Sequence, residues 1–289
     1  MNLALGKLYM KASMDRQAVT CLKEALKVSP MSLDVAQMLI GLGVKPTEIQ
    51  AITLETVQQL PEIESWFRQW TQSQNALANR EFIEAVNGFQ SLEAERPLLK
   101  ADQSLLLALG QAQYYNGDYQ EAISTFYKVY DKDSGSVKGM DCLAACLVHE
   151  KRGKDLEELV QNLMASVSAG VGAGHASAVD DPSNAAASYH AEPWVALGYY
   201  CFMNKRSSRA VYFAHKACMI QMRAVEPLLL KGNVLLQLKK TNEALNHFRE
   251  AMLYAPYRYE LFKGLVDCYL AQSRHREATT IGKLIKLGF

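Results

Sequence analysis

Three stretches of the chain repeat one spacing of small and apolar residues, and that repetition limits the fold more than any other feature. Gly6, Gly198 and Gly232 are each followed twelve residues later by an alanine (Ala18, Ala210, Ala244). An apolar residue comes four further on (Leu22, Ala214, Phe248), then a second alanine three beyond it (Ala25, Ala217, Ala251). Gly198 and Gly232 are 34 residues apart, the period of the tetratricopeptide repeat. Small residues at the glycine and first alanine let the two helices of one unit approach closely. Large residues fill the space to the next unit. Pro30 and Pro256 stop the second helix, because the ring clashes with the preceding turn and donates no hydrogen bond. Such a unit cannot bury its own apolar surface, so the stack is what folds.

The same register finds further copies. Leu106, Leu109, Gly110, Ala122, Phe126 and Val129 form a clear unit with the turn Asn116–Tyr119 between its helices. Ala85, Phe89, Leu92 and Pro97 mark a second helix, preceded by one that carries Trp66 and Trp70. Steps of 34 from Gly6, Gly110 and Gly232 land on Ile40, Ala144 and Val266, each inside an apolar helical pattern. No alternating strand pattern competes. The expectation is an all-α, right-handed superhelical solenoid of about eight tetratricopeptide-type helical hairpins. One place breaks the period: 54 residues separate Ala144 from Gly198. The surplus, 165–189, is rich in alanine, glycine and serine and reads as a flexible insertion. It divides an N-terminal array, 1–164, from a C-terminal array, 190–289. Gly170–Gly174 follows no strand and precedes no GK[ST], so it is not read as a phosphate loop.

Chemistry is sparse. None of the six histidines sits in a metal or catalytic spacing, and no nucleophile elbow or Walker motif occurs. Cys142 and Cys146 share a helix face, and the six cysteines read as small hydrophobes in a reducing, intracellular setting. The expectation is a non-enzyme without cofactor or metal. With 31 basic against 30 acidic side chains, the chain lacks the basic face that nucleic acid requires. No apolar run is long enough to span a bilayer, and no signal peptide is read. The basic turn Lys205–Arg209 holds Ser207 and Ser208, whose basic flanks suit some kinases, although a solvated turn is the preferred reading.

In this fold the first helices of the repeats line a groove. The positions there predict a protein-binding set of Tyr199, Phe202, Asn233, Gln237, Lys263 and Asp267. Asn233 is the sharpest, since its amide can both donate to and accept from a peptide backbone. The lysine–asparagine clamp that captures a C-terminal carboxylate is absent: its positions hold Val195, Tyr199 and Leu230.

The strings His190–Ala217, Ala244–Ala271 and Cys21–Ile49 resemble the subunit-7 family of the anaphase-promoting complex, with HAEPWV and HFREA…AP the most specific parts. The resemblance runs over most of the chain in one repeat order and departs in the 165–189 insertion. It implies a scaffold subunit of a multi-subunit ubiquitin ligase, in the nucleus and cytoplasm. The partners implied are other subunits of that complex, its coactivators and a second copy of the chain; the catalysis would reside elsewhere. Met1 enters the first repeat partway along a helix, and Thr279–Phe289 is apolar. The expectation at these ends is an interface or a continuing array. The second reading is a tetratricopeptide adaptor that binds a short peptide in the Tyr199/Asn233 groove.

Overall fold

The computed structural model describes the backbone of residues 1–57, 61–96, 102–132, 136–169, 190–221, 223–256 and 258–286, which form sixteen α-helices and no strand. The first unit, Met1–Asn116, holds α1 (Asn2–Lys11), α2 (Asp15–Val28), α3 (Leu33–Gly41), α4 (Pro46–Val57), α5 (Pro61–Asn79), α6 (Phe82–Glu95) and α7 (Gln103–Asn116). The second, Gly117–Phe289, holds α8 (Tyr119–Lys132), α9 (Met140–His149), α10 (Gly153–Ala169), α11 (Glu192–Met203) and α12 (Ser207–Ile220). It continues through α13 (Val225–Gln237), α14 (Thr241–Tyr254), α15 (Tyr259–Ala271) and α16 (His275–Lys286). Helix α10 runs to Ala169, and the remainder of the expected insertion, 170–189, lies outside the described residues.

Eight of the turns between successive helices hold one left-handed residue. Ser13, Gly43, Arg80, Gly117, Lys151, Lys205, Lys239 and Ser273 all have φ between +56° and +93°. Beyond seven of them the next amide reaches back five residues: Arg206 to Cys201, Lys240 to Leu235 and Arg274 to Tyr269, for example, at 2.8–2.9 Å. That closure satisfies carbonyls which the ending helix would leave bare. Lys205, Lys239 and Ser273 follow one another at steps of 34, whereas 54 residues separate Lys151 from Lys205. Helices α2, α6 and α14 each end two residues ahead of a proline, Pro30, Pro97 and Pro256, as the sequence predicts.

The first unit's core is built on Leu22, Leu39, Ile49, Phe67, Trp70, Phe89 and Leu109, with the rings of Phe67 and Trp70 stacked at 6.0 Å. In the second unit α9, α11, α13 and α15 lie side by side. Helices α12 and α14 each wedge between their own partner and the next first helix. The wedge is driven by large side chains such as Phe248, which is fully buried. Taking such a ring out of water contributes about 2–3 kcal/mol. Gly232 and Gly264 make room for it: a Cβ on either would stand 2.6 or 2.5 Å from the Phe248 ring. The period-34 position in α15 holds Val266, so the glycine that meets the ring there lies two residues earlier than the repeat predicts.

Candidate functional site

Acidic residues favour the first turn of a helix, where backbone amides and the helix dipole attract negative charge. Glu192, Glu226 and Glu260 occupy that turn in α11, α13 and α15, at steps of 34. Because these helices lie side by side, the three carboxylates share one edge of the layer. Arg258, the residue that caps α15, reaches into this row. Its Nη1 donates to Oε1 of Glu226 at 2.7 Å and its Nε to Oε2 of Glu260 at 3.1 Å.

Two phenols extend the chain of bonds. Tyr199 of α11 donates to Oε2 of Glu226 at 3.4 Å, and Tyr119, the first residue of α8, donates to Oε1 of Glu260 at 3.2 Å. Tyr199–Glu226–Arg258–Glu260–Tyr119 is thus a continuous polar strap across four helices. Glu226 and Arg258 are 5% and 4% exposed, so this pair has left water and is held by mutual satisfaction. Burial pushes the Tyr199 phenol well above its usual range, and the Glu226 charge pushes it further; burial likewise raises Tyr119, with Glu260 beside it. Asp141, half-buried in the first turn of α9, is pushed up to about 7, mainly by burial and then by the charges of Glu226 and Glu192.

The strap changes how the expected binding residues are read. Tyr199 is 3% exposed and its hydroxyl is committed to Glu226, so it is an internal bond, not a groove contact. Val195 and Leu229, at neighbouring first-helix positions, are buried as well. Phe202 and Asn233 are half-buried, whereas Gln237, Lys263 and Asp267 are exposed. Gln237 accepts a hydrogen bond from the Ser207 hydroxyl at 3.0 Å. The predicted set therefore separates into a buried tyrosine and partly open positions on α11, α13 and α15. Sequence reasoning passed over Glu226 and Arg258, although the 34-residue spacing of the three glutamates was available as a signal.

The arrangement ties four helices together. Burial raises the thiols of Cys142 and Cys146 far from the thiolate that a nucleophile or metal ligand requires. Among the described residues no cluster of three or more histidine, cysteine, aspartate or glutamate side chains is placed to hold a metal ion. Among them, too, no helix is long and apolar enough to cross a membrane.

The chain is similar to known proteins. Tetratricopeptide-repeat family models match residues 71–137 and 225–257. The chain is 33% identical over 277 residues to proteins named anaphase-promoting complex subunit 7 from Mus musculus and Homo sapiens, covering 96% of this chain and 45% of each relative. The Arabidopsis thaliana protein of that name is 26% identical over 286 residues, covering 96% of this chain and 47% of the relative. The chain therefore spans just under half the length of the curated relatives it matches. Among solved structures, the hetero-tetramer Cut9–Hcn1 of the anaphase-promoting complex superposes with a TM-score of 0.67 at 14% identity, covering 97% of this chain and 50% of that one. A tetratricopeptide repeat protein from Parabacteroides merdae superposes with a TM-score of 0.50 at 14% identity, covering 92% and 97%. At these identities the structures speak for the fold alone, and that fold is an array of tetratricopeptide helical hairpins.

Proposed function

We propose that this chain, a tetratricopeptide-repeat protein similar along 96% of its length to subunit 7 of the anaphase-promoting complex, is a non-catalytic scaffold subunit of that ubiquitin ligase. The observation that carries the reading is the 33% identity sustained over 277 residues, from the first repeats to the last. Its partners are the other subunits of the complex, foremost those built of the same repeats, and its working compartment is the nucleus, with a cytoplasmic pool. In this reading the chain helps to carry coactivators and to recruit substrates for cell-cycle-regulated ubiquitination. It meets a second copy of itself within the assembly. Residues 1–169 and 190–289 supply the repeat helices, on either side of 170–189.

A scaffold reading suits a first-helix row in which Tyr199 is taken up by an internal bond to Glu226. An adaptor depends on a few open groove residues, whereas a scaffold spreads its contacts along many helices. The test is co-elution of the recombinant chain with the recombinant repeat subunits of the complex in size-exclusion chromatography with light scattering. A stable joint peak that survives Asn233→Ala combined with Gln237→Ala supports the scaffold. Separate elution overturns it, and loss of the joint peak through those two substitutions alone favours the peptide adaptor.

A further inference from the structure

Three turns of the second unit carry a lysine in the same unfavourable conformation. Lys151, Lys205 and Lys239 each stand two residues beyond the end of a first helix, α9, α11 and α13, with φ of +58°, +56° and +62°. Their amides reach back three residues, to Val148, Phe202 and Leu236, at 3.0–3.1 Å, so the three backbones are set alike. A side chain crowds its own backbone at such angles, and glycine, which takes them freely, fills the equivalent turns at Gly43 and Gly117. Stability alone would therefore favour glycine at all three positions. Nor is the lysine charge needed to complement the helix end, because the next residue in each turn is itself basic: Arg152, Arg206 and Lys240.

The three ammonium groups are available. Each lysine is exposed, and among the described residues no acid or acceptor engages its side chain. Arg152 and Lys240, by contrast, are each tied to the acid three residues on, Asp155 and Glu243. Residues 150–155, 204–209, 238–243 and 272–277 turn the chain between the paired helices of this unit. They hold ten basic residues against four acids, in a chain whose net charge is +1. One edge of the layer is thus positive, while Glu192, Glu226 and Glu260 sit in the first turns at the other.

Helices α9, α11 and α13 lie side by side. Packed helices have axes about 8–10 Å apart, so the three lysines form a row with that spacing. An extended chain advances about 3.3–3.6 Å per residue, and three residues carry it from one lysine to the next. We infer that this edge docks an extended acidic segment of a partner protein, one that sets a carboxylate at every third residue against Lys151, Lys205 and Lys239. Single exposed ion pairs contribute little, so selectivity lies in meeting all three in register. Glu150 and Glu243, at the same edge, disfavour nucleic acid, whose phosphates run without gaps. The inference stands on the turns and their charge, independently of which complex the chain belongs to.

The probe is a labelled nine-residue peptide with glutamate at its second, fifth and eighth positions and glycine or serine elsewhere. It is titrated into the full chain at low salt and read by fluorescence polarisation. The expected result is saturable binding that weakens at least tenfold in the combined variant Lys151→Gly, Lys205→Gly and Lys239→Gly, whose thermal midpoint is no lower than the parent's. Lys151→Gln, Lys205→Gln and Lys239→Gln together remove the charge and keep a side chain, and the same loss is expected. Lys7→Gln, Lys45→Gln and Lys283→Gln, an equal loss of exposed charge elsewhere, should leave binding within twofold. Absence of saturable binding overturns the proposal, as does binding that the glutamine variant of the turns leaves unchanged. An equal loss in the distant variant overturns it too, since general attraction would then suffice. So does equal binding of a peptide with its three glutamates adjacent, or tighter binding of a single-stranded oligonucleotide of the same charge.

Discussion

Arg258 and Glu226 meet through a 2.7 Å hydrogen bond from Nη1 to Oε1 while keeping 4% and 5% of their surface exposed. A pair this deeply buried is costly to separate, because removing one partner strands the other's charge in a medium that cannot solvate it. Arg258→Met or Glu226→Leu alone is expected to destabilise the second unit by about 3–5 kcal/mol. Combining the two substitutions is expected to recover part of that loss, since no charge is then stranded, although the buried Tyr199 hydroxyl still loses its acceptor. Urea denaturation followed by circular dichroism distinguishes these outcomes. Single variants as mild as the double variant would show that the strap carries little.

Phe248 is confined by Gly232 on one side and Gly264 on the other. Alanine at either glycine would push a methyl into a rigid ring, and overpacking of that kind costs about 1–3 kcal/mol. At Gly198 the atom in the way is the Cδ2 end of Leu230, which can rotate aside. Gly232→Ala is therefore expected to lower the thermal midpoint more than Gly198→Ala. Combining Gly232→Ala with Phe248→Leu should restore part of the loss. An equal effect at Gly198 and Gly232 would remove the ring from the explanation.

Lys239 turns the chain between α13 and α14 with φ +62°, a conformation in which a side chain crowds its own backbone. Glycine takes it without strain. Lys239→Gly is expected to stabilise the chain by about 0.5–1 kcal/mol, because Lys239 is exposed and gives up little else. Lys239→Ala should gain nothing, which separates relief of strain from loss of charge. The two variants, compared in one denaturation series, check this.

The carboxyl of Asp141 is held up to about 7 by burial and by its acidic neighbours, whereas an unfolded aspartate titrates near 3.9. Between those values the folded chain keeps a proton that the unfolded chain has lost. The contribution of this group to stability is thus full at the acid end, falls as pH rises from about 4 to about 7, and is level beyond. Asp141→Asn, neutral throughout, should be more stable than the parent at pH 8 and closer to it at pH 5. Parallel stability–pH curves for the two proteins would contradict the assignment.

How much of this was legible in the sequence depends on what each residue does. The glycines and alanines at fixed offsets announced the hairpins, because close helix contact admits only small side chains. The prolines announced where the second helices end. The left-handed turns were not legible, because lysine, arginine and serine carry no mark of the conformation that the helix closure imposes on them. Tyr199 was assigned to an open groove by its register in the first helix, and only the side-by-side packing of α11 and α13 shows that Glu226 covers it. Arg258 and Glu226 drew no notice, since burial of a charged pair depends on partners from different repeats. Gly264 escaped notice because it meets Phe248 from the neighbouring repeat, two residues out of register.

The central claim, that the chain is a subunit of the anaphase-promoting complex, is tested most directly by affinity purification of the tagged chain from mitotic cells. The eluate is analysed by quantitative mass spectrometry and assayed for ubiquitin ligase activity. The account predicts other repeat subunits, a cullin and a RING protein in near-stoichiometric amounts, with ligase activity in the same fraction. Recovery of a chaperone or a single unrelated partner, with no cullin and no ligase activity, would contradict it.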